Sequence, residues 1–177
     1  HSPKGWQLWS HMRRFIAALL CLAGCSPVPP KPVDTSRWAV YYDDKLPAEA
    51  LVATEVVVFD RRHHPKLEPL KGKTDVLAYV SIGEVYHDVP ERKQLEKDNA
   101  LLFQNDTWKS YAVDTTSPLW KKLVLKYVED AAKQGFDGVM LDTIDSPLHW
   151  AKTKTPTRQE EMQKAAVALI QAIRERH

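Results

Sequence analysis

The sequence predicts an α/β fold with a parallel sheet and helical crossovers. Two observations carry that prediction. Strand-like runs and helical spacings alternate about five times after residue 37, and no strong hairpin signal interrupts them. One of those runs, Glu55-Val56-Val57-Val58-Phe59-Asp60, is apolar without a break, as in a strand covered on both faces. A third observation concerns the architecture. Four of the five runs end in a carboxylate, Asp43, Asp60, Asp114 or Asp142, and the remaining one ends in Gly83-Glu84. Two architectures fit. An open doubly wound sheet suits 177 residues but gathers its site at one switch point. The first five units of an eight-unit barrel of TIM type suit an acid at every strand tip.

Each element has its own signal. Trp38-Ala39-Val40-Tyr41-Tyr42 is β-rich and stops at Asp43-Asp44, and Pro47 then opens a short helix over 48–53. The second strand is 55–60, followed by a polar segment over 63–70 that Gly72 breaks. Residues 75–82 give the third strand. The long polar stretch after it holds a helix over 90–103, and Tyr111-Ala112-Val113-Asp114 is a weaker strand. Ser117-Pro118 reads as an N-cap with proline in the first turn. Leu119, Trp120, Leu123, Val124, Tyr127, Val128, Ala131 and Ala132 then keep helical spacing up to Gly135. The fifth strand lies within Gly135-Phe136-Asp137-Gly138-Val139-Met140-Leu141-Asp142-Thr143-Ile144-Asp145. A loop over 146–156 follows. Thr157 with Glu160 reads as a capping box for the last helix.

Composition narrows the function classes. A chain that is 44% hydrophobic and 27% charged is an ordinary globular one. Its net charge is +2, and without Lys4, Arg13 and Arg14 it has 22 basic residues against 23 acidic ones. No basic stripe interleaves with aromatics, so nucleic acid is not an expected partner. No glycine-rich phosphate loop follows any strand.

The N-terminal region reads as export and anchoring. Met12-Arg13-Arg14 precedes a short apolar run ending in Leu22-Ala23-Gly24-Cys25. Charge followed by a run too short to span a bilayer is the pattern of a secretory signal. The last four residues resemble a bacterial lipobox, which implies cleavage before Cys25 and lipid on its sulfur. Residues 1–24 are therefore expected to be leader and signal peptide. Residues 25–36 are the lipidated cysteine and a proline-rich tether, and the folded domain is 37–177. The implied location is the bacterial cell envelope, on a membrane through Cys25. With Cys25 the one cysteine left after cleavage, no disulfide framework is expected.

The fifth strand delivers Asp142 and Asp145 from a buried run, which is how α/β enzymes present catalytic groups. Tyr79-Val80-Ser81-Ile82-Gly83-Glu84 and the segment 135–145 resemble the two hallmark segments of glycoside hydrolase family 114, the endo-α-1,4-polygalactosaminidases and their bacterial relatives. Trp38-Ala39-Val40-Tyr41-Tyr42, Val56-Val57-Val58-Phe59-Asp60, Tyr111-Ala112-Val113-Asp114 and Ser117-Pro118-Leu119-Trp120 occur in the family's order. The resemblance implies a TIM-like barrel, of which about the first five βα units are present. It also implies hydrolysis of an α-1,4-linked galactosamine polysaccharide by two carboxylates, without metal or cofactor.

Asp142 matches the family's catalytic Asp. The family's second carboxylate, a Glu from a later strand, has no counterpart before His177, and a full barrel usually needs about 250 residues. The expected alternatives are therefore a catalytically silent carbohydrate-binding lipoprotein or an inactive piece of a longer hydrolase.

Glu84, Asp145, Asp60, Asp114, Tyr79 and Ser81 are the candidate substrate-binding residues. Each has a structural alternative. Glu84 could bond a neighbouring strand tip, Asp145 could shape an Asx turn, and Tyr79 and Ser81 could pack a barrel layer. Tyr41 and Tyr42 share that ambiguity. Trp150 is a better sugar-stacking candidate than Trp120, which lies in a helix's apolar stripe, and Trp108 is a third. His63, His64 and His87 lack the spacing of a metal site.

Overall fold

The computed structural model describes residues 37–176, so the signal, Cys25 and the tether lie outside the described residues. In chain order the elements are β1 (Trp38–Tyr41), β2 (Val56–Asp60), β3 (Asp75–Ser81), β4 (Glu84–Tyr86), α1 (Pro90–Lys97), β5 (Leu101–Asn105), β6 (Ser110–Val113), α2 (Pro118–Gln134), β7 (Gly138–Asp142), α3 (Asp145–Ala151) and α4 (Pro156–Arg174). Single 3-10 turns occupy Ala48–Leu51 and Glu68–Leu70.

β1, β2, β3 and β7 form one parallel sheet in that order. Val57 lies opposite Val76, Leu77 opposite Gly138, and Ser81 opposite Asp142. β3 and β7 therefore end level, and that register sets the two hallmark segments side by side. Val57, Phe59, Val76 and Ala78 are all buried and pack with Leu70, Ala131 and Phe136. Alternation puts Val56, Val58 and Leu77 on the opposite face.

α2 ties the core together. Its stripe buries Trp120, Val124 and Val128 with Val80, Ile82, Leu95, Val113 and Leu169, while Ala131 joins the cluster under the sheet. The predicted caps are present. Ser117 Oγ accepts from the Trp120 N–H at 3.2 Å, and Gly135 takes φ +94° at the C-cap. Such an N-cap contributes about 1 kcal/mol.

Four local expectations change. The strand at Tyr111 does not join the parallel sheet. It is β6, the centre of an antiparallel sheet of order β4-β6-β5, so the parallel sheet has four strands. The β5–β6 hairpin gave no sequence signal because Lys109, at φ +51°, supplies the left-handed residue that a glycine usually supplies. The helix expected over 90–103 ends at Lys97, with Asn99 at φ +54° turning the chain, and Phe103 lies in a strand. The loop after β7 contains α3, and the cap of α4 is Thr155 rather than Thr157. Thr155 Oγ1 accepts from the Arg158 N–H at 3.3 Å, and Pro156 takes the first helical position.

Candidate active site

The C-terminal ends of β3 and β7 are joined by hydroxyl and amide groups. Ser81 Oγ donates to the Glu84 carbonyl at 2.7 Å and accepts from the Glu84 N–H at 3.1 Å. Thr143 Oγ1 lies 2.6 Å from Ser81 Oγ and accepts from the Gly83 N–H at 3.1 Å. Thr143 has φ +67°, an uncommon backbone for a β-branched residue and one found at constrained functional positions. Gly83 is required by close approach. A Cβ there would lie 1.9 Å from the Thr143 carbonyl oxygen and 2.8 Å from Pro147 Cδ.

Asp142 sits at the tip of β7 and is exposed. Its Oδ2 accepts from the Tyr79 hydroxyl at 2.9 Å, and its Oδ1 accepts from the Thr143 N–H at 2.8 Å. One donor on each oxygen fixes the plane of the carboxylate. Burial, followed by the hydrogen bond and charge of Asp142, pushes the Tyr79 hydroxyl far above its ordinary range, so it remains a donor at any working pH. Tyr42 and Tyr86 are also pushed up, first by burial, with Asp142 among the lesser causes. Tyr42 packs edge-on against Tyr79 at 5.3 Å.

Glu84 is 6% exposed. Its Oε2 accepts from Ser110 Oγ at 2.5 Å, and its Oε1 accepts from Asn105 Nδ2 at 3.2 Å and from Ser146 Oγ. One carboxylate thus ties β4 to both strands of the hairpin and to α3. It has little capacity left for a proton-transfer role, which needs a group free to exchange its proton.

A cleft opens at the ends of β2 and β3, lined by Asp60, Arg61, Tyr79, Ser81, Glu84 and Tyr86 among others, and it encloses about 30 Å³. Asp60 accepts from the Arg62 N–H at 2.6 Å, with Arg62 Nε 3.6 Å away. The structure therefore brings Asp60, Tyr79, Ser81 and Glu84 together, with Asp142 held through Tyr79.

Asp114 and Asp145 are placed differently. Asp114 accepts from Arg158 and from Thr116, which pins α4 beside β6. Asp145 is exposed at the start of α3 and is not part of the cleft lining. Trp120 is buried, with its Nε1–H donating to the Ile82 carbonyl at 2.8 Å. Trp108 is exposed in the hairpin turn, and Lys154 stacks over Trp150 at 4.6 Å. His64 bridges Pro65 and Gln134 and packs on Phe136, while His87 bonds the Lys109 carbonyl. Arg61 and Tyr86, both cleft residues, were missed by sequence reasoning. They lie off the strand tips and belong to no recognisable spacing.

The family model for glycoside-hydrolase family GH114 matches residues 21–177. The chain belongs to that family. β3 and β7 carry the two segments whose sequences resemble the GH114 hallmarks, and the two strands end level. An uncharacterized protein of Methanocaldococcus jannaschii is 37% identical over 93 residues, 49% of this chain and 27% of that protein.

Among solved structures, the glycoside hydrolase domain of PelA from Pseudomonas aeruginosa matches with TM-score 0.68 at 25% identity. That match covers 80% of this chain and 56% of the PelA one. Ega3 of Aspergillus fumigatus, solved with galactosamine, matches at TM-score 0.56 and 19% identity, a likeness of fold, over 78% of this chain and 58% of its own. The chain thus spans just over half the length of either solved relative and about a quarter of the curated one. The α/β fold and its parallel strands are those of a TIM-type glycoside hydrolase, with four of the strands present among the described residues.

Proposed function

We propose that this protein is a glycoside hydrolase that cleaves α-1,4-linked galactosamine-type polysaccharide, with Asp142 as one of two working carboxylates. The observation that carries the reading is the placement of Asp142. It is an exposed acid at the tip of β7, within the stretch that the GH114 family model matches, with a donor on each oxygen. Glycoside hydrolysis needs an ionised carboxylate to attack or to activate water and a protonated one to assist the leaving oxygen. Asp142 fits the ionised role because its geometry is fixed and its face is open to solvent. Asp142 stands exposed at the tip of β7, where a carboxylate suits the cationic ammonium of an amino sugar. The galactosamine bound to Ega3, a protein of similar fold, supports the same sugar class.

One observation favours a second reading, a carbohydrate-binding protein without turnover. Among the described residues the other strand-end acids are occupied. Glu84 has three side-chain donors, Asp60 bonds Arg62, and Asp114 bonds Arg158. Incubation with a partially deacetylated galactosamine polymer separates the readings. Release of reducing ends supports the hydrolase. Retention of polymer on immobilised protein without release supports the binding protein.

Lipid on Cys25 and a place on the bacterial cell envelope belong to the same proposal. They rest on the apolar run ending in Leu22-Ala23-Gly24-Cys25. Metabolic labelling with an alkyne fatty acid should mark the wild-type chain and not Cys25→Ser. Equal labelling of the two would remove the anchor.

A further inference from the structure

β7 ends at Asp142, and the next residue takes a backbone that its side chain disfavours. Thr143 has φ +67°, in the left-handed region, where a β-branched residue is an outlier and glycine or asparagine is the ordinary choice. Backbone preference therefore does not account for threonine at this position. Its hydroxyl is what a glycine could not supply.

That hydroxyl is engaged at the ends of β3 and β7. Thr143 Oγ1 accepts from the Gly83 N–H at 3.1 Å. Its single proton serves either Ser81 Oγ at 2.6 Å or the Asp142 carbonyl at 2.7 Å. Ser81 Oγ is itself committed, donating to the Glu84 carbonyl and accepting from the Glu84 N–H. Ser81 is also the register partner of Asp142. The carbonyl of the turn is confined as well. A Cβ on Gly83 would stand 1.9 Å from the Thr143 carbonyl oxygen, so only glycine fits there. One short segment, 81–83, thus grips the turn at both its hydroxyl and its carbonyl.

The grip holds the Thr143 N–H in place, and that N–H donates to Asp142 Oδ1 at 2.8 Å. The other carboxylate oxygen is served from β3 by the Tyr79 hydroxyl. The two donors differ in kind. Tyr79 reaches the acid through a long side chain. The Thr143 donor is backbone, and it points at Oδ1 only while the turn keeps its left-handed form.

We propose that Thr143 is a positioning residue for Asp142: its hydroxyl, anchored on the tip of β3, holds the strained turn that aims the Thr143 N–H at Oδ1. The proposal rests on the reading of Asp142 as a working carboxylate and deepens it. Thr143 acts through Asp142 and takes no part in bond breaking. Without the hydroxyl the turn relaxes and the 142–143 peptide rotates. The carboxylate then swings about its Cβ–Cγ bond, out of the plane that two donors set.

The test uses the full chain, three substitutions at this position and two readouts. Thr143→Ser keeps the hydroxyl. Thr143→Val keeps the branched shape and loses the hydroxyl. Thr143→Gly loses it too but takes a left-handed φ without strain, so it carries the comparison if the valine variant folds poorly. The first readout is NMR of the residue 143 amide proton, which a bond to a carboxylate shifts downfield. It should stay downfield in Thr143→Ser and move upfield in the other two, toward its position in Asp142→Ala. The second readout is reducing-end release from a partially deacetylated galactosamine polymer. Thr143→Val and Thr143→Gly should lose at least about tenfold in kcat with KM changed less than about twofold. Thr143→Ser should stay within about threefold of wild type. An amide proton that stays downfield without the hydroxyl, or a glycine variant that turns over like wild type, would overturn the positioning role. A serine variant as impaired as the valine one would overturn it too, because the methyl rather than the hydroxyl would then matter. No release from the wild-type chain would overturn the hydrolase reading instead, and the amide comparison would still decide the place of Thr143.

Discussion

The Tyr79 hydroxyl reaches Asp142 Oδ2 at 2.9 Å although Ser81, two residues further along β3, is the direct register partner of Asp142. The contact is a diagonal one across two parallel strands, within reach of a long aromatic side chain. It couples the strand carrying the proposed catalytic acid to its neighbour through one hydrogen bond, so it can be removed without disturbing the sheet.

Tyr79→Phe deletes that donor and keeps the ring against Tyr42. Stability should change by no more than about 1.5 kcal/mol, the usual net value of one hydrogen bond. Reducing-end release should fall roughly tenfold to a hundredfold, because the carboxylate loses one of its two fixing donors. Urea unfolding and a polymer digestion assay read the two effects separately. A large loss of stability with unchanged release would reverse the assignment.

Glu84→Ala should be among the most destabilising single changes in the chain. It leaves Ser110, Asn105 and Ser146 facing a buried void, at a cost of roughly 3 kcal/mol. Chemical denaturation measures this. A loss below about 0.5 kcal/mol would mean that the carboxylate does not join the hairpin to α3.

Alkaline pH should loosen the fold as it rises above the ordinary tyrosine range. Burial raises Tyr127 from 10.0 to about 12, and Tyr42, Tyr79 and Tyr86 are raised as well. A value raised in the folded state means that the native protein holds the proton more tightly than the unfolded chain does. The associated stability is complete below pH 10 and is lost as pH rises through about 12. Thermal melts across pH 9–12, paired with phenolate absorbance, should show this loss, and Tyr127→Phe should make it shallower. A flat profile would contradict the burial argument.

Much of the fold was legible in local chemistry. The parallel strands announced themselves as apolar runs with acids at their tips. The Ser117 cap and the Gly135 stop of α2 were both readable from residue type. The antiparallel sheet was not, because its turn uses Lys109 rather than a glycine and because β4 is three residues long. At the site, the position of Asp142 at the tip of β7 was readable from the apolar run before it. The role of Glu84 was not, since its donors Asn105, Ser110 and Ser146 are brought to it by three different elements. Arg61 carries no pattern at all. Its stacking on Tyr127 and its place in the cleft lining appear only in the structure.

The account stands most directly on the carboxylate of Asp142. The decisive measurement is reducing-end release from a partially deacetylated α-1,4-galactosamine polymer by the wild-type chain and by Asp142→Asn, with both proteins shown to melt at the same temperature. The expected result is release by wild type and a fall of at least about a hundredfold in the variant. Equal release by the two proteins, or none from wild type, would contradict it.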